Sequence, residues 1–299
     1  MNLIDKIVEN IKLNFTWKSK GKKSVKIQGG ETQVYQEGGV TTILKIENFT
    51  INSIQRLASM SGQEDPDALI KSASQRFIVE QNIKQKNFKA SVDKAELNKI
   101  KKPNEPEKDW FLRWVEISQG VSRENVQNIL ARILSGEVEK PNSFSLKTLD
   151  ILKNLSKEEL EVFQKFCDIS FNIFLVGDMH ACVICEPFGS PGDNGLSSFG
   201  LPYINLTLLQ DAGLIKGDLN SRKEFSVPEF FRIPFSIGSE IYRFKETVDT
   251  KTLKQYFNTL MFTTAGLELR RVLVLGSNEA YDNKFIEWVK NSFKMELIK

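Results

Sequence analysis

Residues 109–167 read DWFLRWVEISQGVSRENVQNILARILSGEVEKPNSFSLKTLDILKNLSKEELEVFQKFC, and this stretch decides the fold. Trp110, Phe111, Trp114, Val115 and Ile117 make a short, very apolar helix. Trp110 and Trp114 stand one turn apart on one face, the placement of core indoles. Val126, Ile129, Leu130, Ile133 and Leu134 then recur at i, i+3, i+4, i+7 and i+8, which predicts a second helix with one buried face. Ser122 is its expected cap and Gly136 its expected stop. Pro141-Asn142 suits a turn, with proline fixing the first corner and asparagine tolerating positive φ. Ser145 opens a third helix, with Leu149, Leu152 and Leu155 inward. Ser156-Lys157-Glu158-Glu159 spells a capping box, in which serine and glutamate satisfy each other's backbone N–H. The helix it starts carries Leu160, Phe163, Phe166 and Cys167.

Upstream, Asp65 is placed to cap a helix that has Pro66 in its first position. No glycine or proline follows before Pro103, so the helix is expected to run for up to about 37 residues, or about 55 Å at 1.5 Å per residue. A helix that long needs other helices or a second copy of itself to lie on, so self-association through residues 66–100 is expected. Lys101 to Lys108, with Pro103 and Pro106 among charges, reads as a linker. Residues 2–15 have the spacing of an amphipathic helix, and Lys18, Lys20, Lys22, Lys23 and Lys26 follow it. Between Ser24 and Thr50 glycine and threonine are frequent, and a short hairpin or a mobile linker fits equally.

Downstream of Cys167 the period changes. Strands are expected at Ile173–Val176, Ala181–Cys185, Phe225–Val227, Phe230–Ile233, Glu240–Phe244 and Leu260–Thr263. A helix ending at Ala212-Gly213, then strand-like stretches, then Thr264-Ala-Gly-Leu-Glu-Leu269 gives the outline of a winged helix. A last helix is expected around Asn283 to Lys294. The fold class read from these signals is α+β and predominantly helical: a long N-terminal helix, a compact helical block and a winged-helix-like C-terminal half. The divisions fall at residues 1–64, 65–170 and 171–299.

Composition narrows the function classes. Across 299 residues, 41 Lys and Arg stand against 38 Asp and Glu, and a net charge of +3 does not announce a nucleic-acid binder. No apolar run approaches the length of a membrane span. Three cysteines without a secretory signal pattern favour a reducing, cytoplasmic setting.

Candidate sites are few. Cys167, His180, Cys182 and Cys185 have the donor set of a closed tetrahedral zinc site. The bland alternative is a buried strand, HACVIC, whose thiols act as small hydrophobes, and the intervening Val-Ile favours it. His180 with Cys182 or Cys167 is also the raw material of a nucleophile pair, with Asp178 near in sequence but no orienting group marked. No phosphate loop, dinucleotide fingerprint or metalloprotease helix is present, so no cofactor is expected. If the winged-helix-like half touches nucleic acid, Lys216, Arg222, Lys223, Arg270 and Arg271 are the contacts to test. The basic N-terminal stretch raises contact with an anionic membrane, but its apolar face is short, and a core or oligomer helix is the favoured reading.

The central block carries a resemblance. It is similar to a bacterial family known only as domain of unknown function 2806, whose pattern is DW…FF…S.EEMQ.LWARILAGE…PGSFS.RT…L..L.K..AELF..LC. Asp109, Trp110, Ser122, Gln127, Ala131 to Leu134, Gly136, Glu137, Pro141 and Ser143 to Ser145 (Phe144 among them) match it. SASQRFIVEQNIKQKNFKASVDKA upstream, and LLQDAGLI and FTTAGLELRRVL downstream, extend the likeness from near Ser72 to Val272. Leu130 replaces a tryptophan of the pattern and Asn142 a glycine; leucine still fills a core, and asparagine still accepts positive φ. The family is in turn similar to the abortive-infection group called Abi-alpha. That resemblance implies a role in defence against phage, through a protein partner that is itself a candidate phage product. It carries over no activity and no site residue. The expectation is a non-enzymatic interaction protein, with a winged-helix regulator that binds nucleic acid as the alternative.

Overall fold

The computed structural model describes residues 33–37, 40–44, 66–175, 178–189, 195–217, 222–226, 234–244, 254–293 and 297–298. The expected helix at 2–15, its basic follow-on and the Asp65 cap lie outside them. The chain divides into two compact units, Met1–Pro141 and Asn142–Lys299. Its class is α+β, with more residues in helices than in strands.

In the first unit, β1 (Gln33–Glu37) and β2 (Val40–Leu44) form an antiparallel hairpin, and the Glu37↔Val40 pairing leaves two residues between the strands. Of the two expectations for this segment, the hairpin is the one found. Helix α1 spans Pro66–Asp93, 28 residues, and so falls short of Pro103. The shortfall has a tertiary cause. Glu96 takes a left-handed conformation (φ 46°), a 3-10 turn follows at Leu97–Lys99, and Ala95 and Leu97 become buried. The Ala95 carbonyl, left over by the helix, accepts a hydrogen bond from the Ser135 hydroxyl.

Helix α2 (Lys108–Gly120) buries Trp110, Trp114 and Ile117, as their spacing predicts. Phe88 of α1 meets the Trp114 ring edge-on at 6.0 Å, and the Trp114 indole N–H donates to the Leu130 carbonyl at 3.0 Å. Helix α3 (Glu124–Glu139) buries the whole predicted stripe. Its ends correct the sequence reading. Arg123, not Ser122, holds the cap position, without a side-chain cap, and Gly136 lies inside the helix rather than stopping it. The last turn survives past Gly136 because Asn104 bonds its free carbonyls: N–H to Val138 at 2.8 Å and Nδ2 to Glu139 at 3.1 Å.

The second unit opens on Asn142 at φ 64°, the positive value its turn was expected to need. Helix α4 (Leu146–Asn154) is capped by Ser145. Helix α5 (Lys157–Asp168) begins with the predicted capping box, Ser156 and Glu159 bonding at 3.1 and 2.6 Å. The strands are β3 (Phe171–Leu175), β4 (Asp178–Ile184), β5 (Arg222–Ser226), β6 (Phe235–Ile237), β7 (Glu240–Phe244), β8 (Lys254–Met261) and β9 (Leu297–Ile298). Among the described residues they form one sheet in the order β5-β8-β4-β3-β6-β7-β9, with every neighbouring pair antiparallel.

Helix α6 (Tyr203–Asp211) ends where predicted: Gly213 adopts φ 73° and Leu214 N–H returns to the Leu209 carbonyl at 2.9 Å. Ile215 bridges Phe262, and Thr263 caps helix α7 (Thr264–Val272) while its hydroxyl donates to the Gly213 carbonyl at 2.6 Å. Gly266 must be glycine here, because a Cβ would lie 2.0 Å from the Leu214 carbonyl oxygen. Helix α8 (Glu279–Phe293) buries Tyr281, Phe285 and Val289, with Phe171 and Phe235 beside Phe285. Among the described residues no helix is long and apolar enough to cross a membrane.

Candidate functional site

In the first unit, the segment that follows α1 folds back along α3 and walls a cleft of about 1010 Å³. The stretch from Ala95 to Asn104, expected to be the end of the long helix and the start of a linker, is a pinned strap. Ser135 holds Ala95 near one end. At the other, Asn104 bonds Val138 and Glu139 of α3, and its Nδ2 also reaches the Lys102 carbonyl at 3.4 Å. Ala95 and Leu97 are buried, so the strap also has an apolar anchor.

The charged residues lining the cleft are mainly cationic: Lys94, Lys99, Lys101, Lys102 and Arg132, against the carboxylates of Glu96 and Glu139. Lys94 pairs with Glu124 at 3.0 Å and Lys99 with Glu96 at 2.7 Å. Both α1 and α3 end at this cleft with no basic residue in the last turn, so part of the positive charge offsets their negative ends. Lys101 and Lys102 lie beyond that need, exposed and without a side-chain partner among the described residues.

The second unit holds the residues singled out from sequence. Cys167 closes the inner face of α5, Cys182 lies in β4, and Cys185 follows it; all three are buried and none is in a disulfide. Burial pushes the Cys167 and Cys185 thiols far above their ordinary range, since a thiolate there would lose its water. The nearby Arg270 only partly opposes this at Cys167. His180 pairs with Ile173 across β4 and β3, and its side chain lies outside the described residues. Among the described residues no group of three or more His, Cys, Asp or Glu converges as a metal site.

The basic candidates separate. Lys216 is exposed just after the Ile215 bridge, its N–H bonding the Met261 carbonyl at 2.8 Å. Arg222 and Lys223 sit in β5 opposite Asn258 and Phe257, and their side chains lie outside the described residues. Arg271 is exposed. Arg270 requires a correction. It is 3% exposed, its Nε donates to the Ser170 hydroxyl at 2.7 Å, and its guanidinium lies 5.9 Å from the Phe262 ring centre, so it holds the core and presents nothing to a phosphate. Burial lowers its proton affinity. A helix of nine residues shows both neighbours as charged, and only the three-dimensional face separates them.

The motif residues have structural work. Asp109 is exposed in the first turn of α2, where a carboxylate suits the positive helix end. Trp110 and Phe144 are buried, Pro141 is half-buried, and Gln127 Nε2 closes the α2–α3 turn on the Val121 carbonyl at 3.0 Å. A family model described as "Protein of unknown function (DUF2806)" matches residues 71–286, well over half of the chain. The chain belongs to this family. The DUF2806 match begins inside α1 and ends inside α8, so it takes in the strap, the motif block and the sheet. No curated protein and no solved structure matches the chain.

Sequence reading missed Asn104, Ser135 and Glu268. Asn104 stands between Pro103 and Pro106 in a charged run and looks like linker. Glu268 accepts from Ser145 N–H at 2.7 Å and the Thr148 hydroxyl at 2.5 Å, tying α7 to the cap of α4.

Proposed function

We propose that this protein is a non-enzymatic interaction protein of bacterial antiviral defence, acting in the cytoplasm by docking a protein partner, with a phage product as the partner class. The observation that carries the docking reading is the strap. Its accessible chemistry is fixed charge and shape, held by Asn104 and Ser135, whereas Cys167 and Cys182, the thiols that sequence offered as nucleophiles, are enclosed, and burial further raises the Cys167 thiol above its ordinary range. The defence role comes from the likeness of the family to the Abi-alpha group. Self-association through α1 is part of the proposal, supported by Phe77 at 62% exposed and Ile83 at 43% on that helix. The test is a phage challenge of cells with and without the gene. Reduced plating of at least one phage in a broad panel is the expected result, and equal plating across the panel refutes the defence role.

A second reading has its own support. The turn through Gly213 meets the start of α7 through the Ile215–Phe262 bridge and the Thr263 hydroxyl, and Lys216 and Arg271 are exposed, which supports a winged-helix reading of the region. In this reading the region contacts nucleic acid. Duplex binding that weakens steeply with salt, and is lost in Lys216→Glu/Arg271→Glu, would favour it over the first.

A further inference from the structure

We propose that the cleft between the strap and α3 receives an extended, acidic peptide segment of the protein partner; this rests on the docking reading above. The lining carries five cations against two carboxylates, and the free ammonium groups of Lys101 and Lys102 stand at its exposed edge. An anionic ligand is the chemistry that complements this. The rest of the lining selects a peptide over a nucleic-acid strand. Among the described residues no aromatic side chain lines the cleft, so they offer bases no surface to stack on. Glu96 and Glu139 oppose a continuous run of phosphates but accept hydrogen bonds from peptide N–H groups. Half-buried Ile100 gives an aliphatic side chain a place to rest, and the exposed Asn128 amide bonds either backbone polarity. Alternating acidic and aliphatic residues meet all of these features at once.

The cleft is an open groove of about 1010 Å³, a shape that suits an extended segment rather than an enclosed small molecule. Its walls are the end of α1, the face of α3 from Asn128 to Glu139 and a strap tied by Ser135 and Asn104, and none of these ties uses a lysine side chain. Replacing Lys101 and Lys102 therefore changes charge without loosening the strap.

The experiment titrates the full chain into fluorescein-labelled peptides of equal length, one alternating glutamate with leucine, one of glycine and serine, and one alternating lysine with leucine, alongside an oligothymidine strand. The acidic peptide alone is expected to bind, more weakly at high salt. Lys101→Glu/Lys102→Glu is expected to weaken it about tenfold, with Lys101→Gln/Lys102→Gln in between, as attractive charges become neutral and then repulsive. Unchanged far-ultraviolet circular dichroism establishes that both variants fold. Oligothymidine binding tighter than the acidic peptide, equal binding of all peptides, or an unchanged affinity in the folded double-Glu variant overturns the proposal. Phage plating with the same variants separates the two readings. A wild type that protects and a double-Glu variant that protects equally refutes the cleft alone. A wild type that never protects refutes the defence role and leaves the titration to decide the cleft.

Discussion

In the Met1–Pro141 unit, the side-chain bonds that join elements span short stretches of chain: Trp114 to Leu130 is 16 residues, Asn87 to Gln119 is 32, and Ser135 to Ala95 is 40. In the Asn142–Lys299 unit they span Tyr281 to Ile184, 97 residues, Arg270 to Ser170, 100, and Ser145 to Glu268, 123. Both units bury helices with similar apolar stripes. They differ in how far along the chain each stripe must look for its partner. Local closure is made cheaply as the chain collapses, whereas closure over a hundred residues costs more loop entropy before any contact forms. The two units are thus different physical problems within one polypeptide.

The sharpest way to break this contrast is at the centre of the local unit. Trp114→Ala removes a fully buried indole, its edge contact with Phe88 and its bond to Leu130, and is expected to cost about 3–5 kcal/mol. Denaturant titration of the full chain measures it, and a loss under about 1 kcal/mol would mean that the indole is not the keystone of the three helices. The matching lesion in the long-range unit is Glu268→Ala, which strands the Ser145 N–H and leaves the Thr148 hydroxyl with only the Ser145 hydroxyl, and is expected to cost about 2–3 kcal/mol. A double-mutant cycle with Thr148→Ala should show coupling, and strict additivity would deny the tie between α7 and α4.

Smaller changes sharpen the comparison at its edges. Asn104→Ala removes the two side-chain hydrogen bonds, to the Glu139 and Lys102 carbonyls, at an exposed position and keeps the backbone bond to Val138, for an expected loss of about 1 kcal/mol. Amide exchange in residues 97–104 should speed up by more than the global loss explains, and unchanged protection there would show that the strap is held by Ala95 and Leu97 alone. Glu159→Ala breaks one arm of the capping box at an exposed helix start, for about 0.5–1 kcal/mol by thermal melting. This is the smallest of the four, although it removes the feature that sequence displayed most openly.

That inversion explains what was legible. The capping box at Ser156, the turn at Asn142, the stripes of α2 and α3 and the αL glycine at Gly213 depend on neighbours a few residues away. Those neighbours are visible in one line of text. The end of α1 was misplaced because no glycine or proline marks it; burial of Ala95 and Leu97 and the Ser135 bond decide it from elsewhere. Gly136 failed as a stop signal for the same reason, since Asn104 satisfies the carbonyls that a glycine cap would otherwise serve. At the candidate site, Lys101 and Lys102 were in view only as linker charges, because what gives them meaning is the fold-back of the strap. Arg270 and Arg271 carry the same charge in adjacent positions, and periodicity alone does not say that one faces Ser170 and the other water.

The asparagine between the two prolines has a thermodynamic consequence for recognition. Because Asn104 fixes the strap while the chain folds, the loss of freedom in those residues is already complete when a ligand arrives. If the cleft receives a peptide as proposed, that incoming segment has only its own disorder to surrender, so even a short stretch with few contacts would associate measurably.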